Sequence, residues 1–387
     1  MSEGHSANGL RRIAIVRQRY THGGGAERII ERAIDRLRAN RSVEVTVLAR
    51  RWPEQSGIRG IRLNPPYLGR TWRDASFAAA AEACMRRERF DLVQSHERIT
   101  GATVFRAGDG VHAAWLERWT PTLPAWRRAL VRLSPYHRYT LARERRMFAS
   151  PSLRAVIANS AFVAAEIARH FPAVADRVRV IRNGVDTAHF HPGLRAQHRV
   201  ATRRTLGIPE DAHALLFLGS GFERKGLATA LRTLASLDAD THLVVVGRDR
   251  HMARFRRIAR SLGVQARVHW LGTVQDPRPF LGACDAAIHP SLHDPMPNGV
   301  LESMACGLPV AASSCTGAAD LVQHRRNGLL MHPCSQAEWN REVAWMLGSG
   351  QLPELADAAR ATVEPLTIDG MVEGWTRLYE ELLSGHA

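Results

Sequence analysis

The residues best suited to chemistry lie between His289 and Val310, where a short apolar strand leads through a proline-rich loop into a helix near Asn298 and Gly299. The start of a helix offers backbone N–H groups and the positive end of the helix dipole, which together bind anions. Glu302 lies one turn into this helix, and Asp294 lies in the loop before it. Two carboxylates beside an anion site suit a sugar attached to a diphosphate. The alternative is a helix-capping glutamate and a surface-turn aspartate.

The second feature is the single lysine of the chain. Of the 53 basic residues, all but Lys225 are arginine, and Lys225 follows Arg224 in the run Gly219-Ser-Gly-Phe-Glu-Arg-Lys-Gly226. Gly221 permits the turn by which the preceding strand passes into a helix. A guanidinium next to an ammonium suits a diphosphate leaving group, because it neutralises the charge that develops there. The alternative is a solvated basic pair.

Strands and helices alternate along both halves of the chain, which predicts parallel sheets covered on both faces. The first half opens with a β-loop-α-β unit, with strands at 13–16 and 43–48 and a helix over 26–38. The second half alternates in the same way from Leu215 to Ala312. We therefore expect an α/β protein of two Rossmann-like domains facing across a cleft, with ligands at the carboxyl ends of the strands.

The expected domain boundaries follow from this alternation. An N-terminal domain is predicted over residues 1–188 and a C-terminal domain over residues 189–368. A final amphipathic helix within residues 369–387 is predicted to pack back on the N-terminal domain. The arginine- and histidine-rich stretch 189–204 is interpreted as a passage between the domains.

Length and composition limit the classes of protein to which the chain can belong. The 387 residues favour two domains, and 45% hydrophobic content argues against a disordered chain. Five scattered cysteines, without a C-x-x-C pair, argue against a disulfide framework and a structural zinc site. No apolar run reaches the roughly 18 residues of a membrane span, and the first residues lack a secretory signal. We expect a cytoplasmic protein. Its net charge of +16 leaves nucleic acid, anionic membrane and phosphorylated substrates open as partners.

Residues 111–148 combine eight arginines with interleaved aromatic side chains. Tryptophan favours membrane–water interfaces and arginine favours anionic headgroups, so the stretch is interpreted as a surface-seated helix pair. The predicted membrane-surface residues are Trp115, Trp119, Trp126, Arg127, Arg128 and Arg132. The alternatives are a helix pair packed in the core with a basic outer face, or a surface for single-stranded nucleic acid.

Several motifs together resemble the family-four retaining glycosyltransferases of the GT-B fold, over nearly the whole chain. They are the two segments above, Asn159-Ser160, Arg182-Asn-Gly-Val-Asp186 and Gly24-Gly-Ala-Glu-Arg28. The most specific is the family's Glu-x7-Glu motif, present here as Asp294-x7-Glu302.

The resemblance implies a role for each matching residue on the donor. Glu302 would bind the ribose hydroxyls of a nucleotide sugar, and Arg224 and Lys225 would hold its diphosphate. Main-chain groups at Asn298, Gly299 and Val300 would contact phosphate or sugar. Gly24 and Gly25 would approach the diphosphate from the other domain. Asp294 replaces the family's first glutamate, which acts on the donor sugar, and is shorter by one methylene.

The segment Phe105-Arg-Ala-Gly-Asp109-Gly-Val-His112 is similar to the lipopolysaccharide-core glucosyltransferases of that family in placing an aspartate here. The likeness implies UDP-glucose as donor, a heptose of the lipopolysaccharide core or a related glycolipid as acceptor, and a peripheral position on the cytoplasmic face of the inner membrane. Asp109 would orient the acceptor hydroxyl or accept its proton. The alternative is a turn aspartate between two glycines.

Metal sites are not expected. Asp238-Ala-Asp240 has the form of a metal-binding D-x-D motif but precedes a strand, and is interpreted as a solvated turn. His289, His293 and Asp294 lack regular ligand spacing. We expect no metal and no cofactor besides the nucleotide-sugar co-substrate. The remaining alternatives are another GT-B enzyme, such as a sugar-nucleotide epimerase or phosphorylase, and a nucleic-acid-binding protein, for which the sequence holds no motif.

Overall fold

A computed structural model describes residues 11–18, 34–35, 43–51 and 59–385. The chain divides into two compact units, the first comprising residues 1–182 with 368–387 and the second residues 183–367. Gly24 and Gly25, and most of the helix predicted over 26–38, lie outside the described residues.

The first unit is built on one parallel sheet. Its strands are β1 (Arg11–Val16), β2 (Val43–Ala49), β3 (Arg59–Arg62), β4 (Leu92–Ser95), β5 (Val104–Arg106), β6 (Ala155–Ala158) and β7 (Val178–Val180). They pair in the order β3-β2-β1-β4-β5-β6-β7, every pair parallel. The order reverses between β1 and β4, and such a switch point is where open α/β sheets bind ligands.

Helices connect these strands. They are α1 (Gly69–Glu88), α2 (His112–Trp119), α3 (Ala125–Leu133), α4 (Pro135–Phe148) and α5 (Ala161–His170). Ser160 caps the start of α5, because its hydroxyl accepts the Val163 N–H. The central strand β1 is buried on both faces, with Ile13 to Val16 at most 1% exposed. Burial of both faces explains its unbroken apolar run.

The second unit repeats this plan. Its strands are β8 (Ala214–Leu218), β9 (His242–Val246), β10 (Val268–Gly272), β11 (Ala286–His289), β12 (Val310–Ser313) and β13 (Gly328–Met331). They form a parallel sheet in the order β10-β9-β8-β11-β12-β13, which reverses between β8 and β11. The predicted pair of parallel-sheet, Rossmann-like domains is confirmed.

The helices of the second unit are α6 (Leu194–Leu206), α7 (Phe222–Lys225), α8 (Leu227–Ala235), α9 (Met252–Ser261), α10 (Arg278–Ala283), α11 (Asn298–Ala305), α12 (Gln336–Gly348) and α13 (Leu352–Val363). The prediction of an interdomain passage over 189–204 is wrong, because most of this stretch forms α6 within the second unit. One of its arginines is held inside the fold. Arg203 is fully buried and donates to the Ala283 carbonyl at 2.9 Å and to Asp285 at 2.7 Å.

The last helix, α14 (Ile368–Ser384), belongs to the first unit although it follows the second in sequence. Trp375 and Tyr379 are buried in one cluster with Ile13 and Ile15 of β1. The Tyr379 hydroxyl donates to Gln94 Oε1 of β4 at 2.7 Å. Among the described helices, none is both long and apolar enough to cross a membrane.

Candidate functional site

Two loops meet at the switch point of the second sheet. One follows β8 and carries Arg224 and Lys225, and the other follows β11 and leads into α11. The Leu292 N–H donates to the Arg224 carbonyl at 2.9 Å. At Gly226, where φ is +76°, a Cβ would lie 2.0 Å from the Pro290 carbonyl oxygen. The two loops therefore pack backbone to backbone, which requires glycine at this position.

Lys225 lies across this junction. Its ammonium contacts the Asp294 carboxylate, and Arg224 Nη1 lies 3.5 Å from the same carboxylate. The side chains of Lys225 and Asp294 are 12% and 8% exposed, so the pair is almost removed from water. A Cβ on Gly219 would lie 3.2 Å from Lys225 Cε. Glycine at 219 therefore leaves the space that the lysine side chain occupies.

Burial and charge set the protonation of this group. Burial acts to raise the pKa of Asp294, but the Lys225 and Arg224 charges prevail and hold that pKa well below its usual value. Burial lowers the pKa of Lys225, and Asp294 opposes this effect. Burial also lowers the pKa of His289, whose Nε2 lies 3.4 Å from Asp294, to about 4. At neutral pH the Asp294 carboxylate is therefore ionised and the His289 imidazole is neutral.

The start of α11 borders the same group. Asn298 Oδ1 accepts a hydrogen bond from Asn183 Nδ2 at 2.8 Å, which holds the first residue of the helix. Gly299 approaches the Leu218 carbonyl so closely that a Cβ would lie 3.3 Å from it. The Val300 side chain is buried in the core of the second unit. Glu302 is 8% exposed, and its charge raises the pKa of Lys225.

The second unit therefore brings together eight of the predicted residues: Gly221, Arg224, Lys225, Asp294, Asn298, Gly299, Val300 and Glu302. Gly221 has a φ of +80° and precedes α7. Asn183 and His289 also lie here, although neither had a predicted role. Asn183 belongs to the Arg182-Asn-Gly-Val-Asp186 motif, but the motif does not reveal its partner Asn298, which lies 115 positions away.

Asp109 lies in the first unit, exposed in the loop between β5 and α2. Arg98 holds this loop, because its Nη2 donates to the Gly110 carbonyl at 2.9 Å and its Nε donates to Glu144 at 2.9 Å. The buried Glu144 carboxylate also accepts the His112 N–H at the start of α2. Arg98 and Glu144 carry no local sequence signal, since they meet only in the fold.

The predicted membrane-surface residues separate into two groups. Helix α3 has no buried residue, and Trp126 is 65% exposed, with Arg127, Arg128 and Arg132 also exposed. Trp115 and Trp119 instead stack on each other, with ring centroids 5.3 Å apart, and both are half-buried. The exposed aromatic and basic face of this region therefore belongs to α3.

No group of three or more His, Cys, Asp or Glu side chains that could hold a metal is found in the described part of the chain. All five cysteines are free thiols. Asp238 and Asp240 lie between α8 and β9, at the amino end of the strand and away from the loops that carry Lys225 and Asp294.

Comparison with known proteins gives matches in both halves of the chain. Residues 23–189 match the family model described as Glycosyltransferase Family 4, and residues 199–362 match that described as Glycosyl transferases group 1. Lipopolysaccharide glucosyltransferase WaaG of Escherichia coli is 25% identical over 335 residues, which cover 85% of this chain and 87% of WaaG. D-inositol 3-phosphate glycosyltransferase of Acidothermus cellulolyticus is 31% identical over 244 residues, covering 59% of this chain and 53% of that protein.

Solved structures share the fold across the whole chain. The crystal structure of WaaG has a TM-score of 0.82 at 23% identity and covers 95% of this chain and 99% of its own. Anabaena Alr3699/HepE, crystallised with UDP-glucose, has a TM-score of 0.73 at 20% identity. The match covers 97% of this chain and 99% of the HepE chain. Together with the two family matches, these similarities establish that the chain belongs to the family-4 glycosyltransferases and has their GT-B fold.

Proposed function

We propose that this glycosyltransferase moves a hexose, glucose from UDP-glucose, onto a heptose of the lipopolysaccharide core or a related glycolipid. The observation that carries the proposal is the buried Lys225–Asp294 pair, with Arg224 next to it, beside the start of α11 and Glu302. It supplies cations for a diphosphate and a carboxylate for ribose hydroxyls. Similarity to a lipopolysaccharide glucosyltransferase supports the acceptor, and the UDP-glucose complex of HepE supports the donor.

The proposed chemistry retains the anomeric configuration. The bond between the anomeric carbon and the diphosphate oxygen breaks, and the acceptor oxygen bonds to that carbon on the same face. Arg224 and Lys225 neutralise the charge that develops on the departing diphosphate. Asp109 orients the acceptor hydroxyl or accepts its proton. Asp294 holds Lys225 in place and lies next to the sugar end of the donor.

A panel of nucleotides tests the donor. UDP and UDP-glucose should raise the thermal unfolding temperature more than GDP, ADP and their sugars at equal concentration, because a ligand that binds only the folded state stabilises it. The Lys225→Ala variant should lose the UDP shift. A larger shift with GDP or ADP would contradict the UDP assignment. Hydrolysis or epimerisation of UDP-glucose at full rate without acceptor would contradict transfer.

We further propose that the reaction needs no metal, because Lys225, Arg224 and the start of α11 neutralise the diphosphate. EDTA should leave turnover unchanged. Loss of turnover in EDTA and its recovery with a divalent cation would contradict this proposal.

We place the enzyme on the cytoplasmic face of the inner membrane, where α3 contacts anionic lipid. Support comes from the exposed Trp126 beside three exposed arginines on one short helix. Aromatic side chains seat at the interface and arginines attract anionic headgroups.

A further inference from the structure

The turn that carries Asp109 is held by its own backbone and by a side chain from the neighbouring strand end. It follows β5, and the Gly110 N–H donates to the Ala107 carbonyl at 3.1 Å to close it. Gly110 has a φ of +67°, a conformation that favours glycine. Arg98, which follows β4, donates from Nη2 to the Gly110 carbonyl at 2.9 Å. The turn therefore has a support outside its own backbone.

The direction of the Asp109 carboxylate depends on this turn. Asp109 is exposed, and the described ranges of the chain contain no hydrogen bond or ion pair to its carboxylate. The backbone of the turn, rather than a side-chain partner, therefore places the two oxygens. A group that orients a hydroxyl or takes its proton must lie within hydrogen-bond reach of it. A shift of the turn would move the reacting oxygen by the same amount.

Glu144 of α4 fixes the other end of the turn, where α2 begins. The N-cap residue of α2, Val111, makes no side-chain cap. The Glu144 carboxylate instead accepts the His112 N–H at 2.9 Å and the Ala113 N–H at 3.4 Å. A carboxylate at a helix start satisfies N–H groups that have no partner within the helix, and it opposes the positive end of the dipole. A side chain 32 positions away thus sets where the turn ends.

Arg98 connects these two supports. Its Nε donates to Glu144 Oε1 at 2.9 Å, while Nη2 of the same guanidinium donates to Gly110. The guanidinium is planar and rigid, so it fixes the carboxylate and the turn relative to each other. Burial acts to lower the pKa of Arg98, but the charges of Glu144 and Asp109 prevail and raise it. Arg98 is therefore a cation at neutral pH, and it interacts with both carboxylates.

The segment that carries Arg98 is itself anchored to two helices. Arg143 of α4 donates from Nε to the Arg98 carbonyl at 3.3 Å, and it also contacts Glu82 of α1. Glu82 accepts the Thr100 N–H at 3.0 Å and the Thr100 hydroxyl at 2.8 Å. The residues that follow β4 are thus fixed, and Arg98 extends from them to the turn that follows β5.

We infer that Arg98 and Glu144 are positioning residues for the transfer reaction, which hold Asp109 in place for the acceptor hydroxyl. That Asp109 acts on the acceptor rests on the proposed function. Both residues act through the turn rather than on the substrate. Loss of either should leave donor binding intact and should lower turnover only as far as Asp109 contributes to it.

A double-mutant cycle tests this dependence. Turnover is measured with UDP-glucose and a heptose-terminated lipopolysaccharide core for the wild-type chain, Arg98→Gln, Asp109→Asn and the double variant. Arg98→Gln alone should lower kcat by about 10- to 100-fold, the effect of a misplacement of about 1 Å. Added to Asp109→Asn, it should have almost no further effect, because the group that it positions is already lost. The KM for UDP-glucose should stay unchanged, because the residues proposed to bind the donor lie in the other unit.

Arg118→Gln is the matched control. Arg118 of α2 likewise pairs with a buried glutamate of the first unit, Glu166 of α5, and its loss should leave kcat unchanged. Arg98→Lys covers the case in which Arg98→Gln does not fold. It keeps a charge beside Glu144, but one ammonium cannot replace two nitrogens of fixed spacing. Arg98→Lys should therefore unfold near the wild-type temperature and still have a lowered kcat that depends on Asp109.

The possible results separate the positioning role from the proposed function. An equal fall in kcat from Arg98→Gln with and without the Asp109 carboxylate would show a purely structural role and would overturn the inference. Full turnover in Arg98→Lys would overturn it as well. Wild-type turnover in Asp109→Asn would contradict the proposed role of Asp109, whereas an equal fall leaves that role in place and removes only the positioning by Arg98.

Discussion

The positive charge of Lys225 is already balanced within the protein, since its ammonium contacts the Asp294 carboxylate. A diphosphate that binds Lys225, as proposed, must share the ammonium with this carboxylate or displace the carboxylate from it. The motif that this segment resembles has a glutamate at this position, whereas here an aspartate contacts Lys225. The residue types at this site were predictable, because one lysine among arginines beside glycines is a local signal. The contact between Lys225 and Asp294, 69 positions apart, was not.

Removal of the ammonium should abolish most of the activity. We expect Lys225→Ala to lower kcat by about 10²–10³, the effect of losing one preorganised donor to a developing negative charge. Arg232→Ala, an exposed basic residue on α8, is the control and should keep full turnover. A fall of less than about tenfold would remove Lys225 from leaving-group stabilisation.

The pH profile should report the same group. The buried ammonium has a lowered pKa, so it loses its proton at a lower pH than an exposed lysine, and activity declines as pH rises through that value. Asp294→Asn removes a charge that raises this pKa, so the decline should move to lower pH. Lys225→Arg, which stays charged, should move it to higher pH. Donor kcat/KM against pH measures this, and coincident profiles would refute the assignment.

Asp109 can be tested without altering the donor site. Asp109→Asn keeps the shape of the side chain but removes its charge and basicity, and turnover should fall by about 10²–10⁴. The UDP-induced thermal shift should persist, because the residues proposed to bind the nucleotide lie in the other unit. Asp176→Asn, exposed in the same unit, is the control. Normal turnover in Asp109→Asn would support the alternative, in which Asp109 is only a turn aspartate between two glycines.

At the scale of elements, α3 differs from the other described α-helices of its unit because none of its residues is buried. Trp126, Leu130 and Leu133 are 65%, 60% and 69% exposed. Their spacing of four and three residues places them on one face of the helix. Composition suggested this surface for the whole stretch 111–148. Of the six residues predicted for such a surface, the four on α3 are exposed, whereas Trp115 and Trp119 are half-buried.

Loss of the α3 arginines should weaken lipid binding. Arg127→Gln, Arg128→Gln and Arg132→Gln together should abolish sedimentation with anionic vesicles at low salt, since each basic residue near such a surface contributes about 1 kcal/mol. Removing Arg256, Arg257 and Arg260 of α9 in the same way matches the change in charge and should have little effect. Equal sedimentation of the unmodified chain with neutral and anionic vesicles would contradict membrane docking.

At the scale of the whole molecule, α14 ties the end of the described chain to the first sheet. Trp375→Ala removes a fully buried ring and should cost about 3–5 kcal/mol of unfolding free energy. Calorimetry should show this loss only in the unfolding transition of the first unit. The transition of the second unit, which UDP should shift, should stay unchanged. Arg377→Ala, an exposed neighbour, should be neutral. A uniform shift of both transitions would show that the helix stabilises both units.

The alternation of strands and helices was sufficient to predict both sheets, because parallel strands buried on both faces leave unbroken apolar runs. The same logic failed for α6, whose arginines looked solvated although Arg203 is buried against Asp285. Partners about 80 positions away satisfy that charge, and no local pattern records them. The contacts of Trp375 with His96 and Arg106 were unpredictable for a similar reason, since α14 brings Trp375 to the ends of β4 and β5 from far along the chain.

The position of α14 in the chain also sets an order of events on the ribosome. The first sheet is synthesised first, but the helix that covers Ile13 and Ile15 follows residues 183–367 of the second unit. At 5–20 residues per second, that segment takes about 10–40 s to synthesise. Throughout this interval the nascent first unit exposes an apolar sheet face, while the contiguous second unit can fold on emergence. Nascent chains stopped at Thr367 should therefore be protease-sensitive in the first unit and resistant in the second.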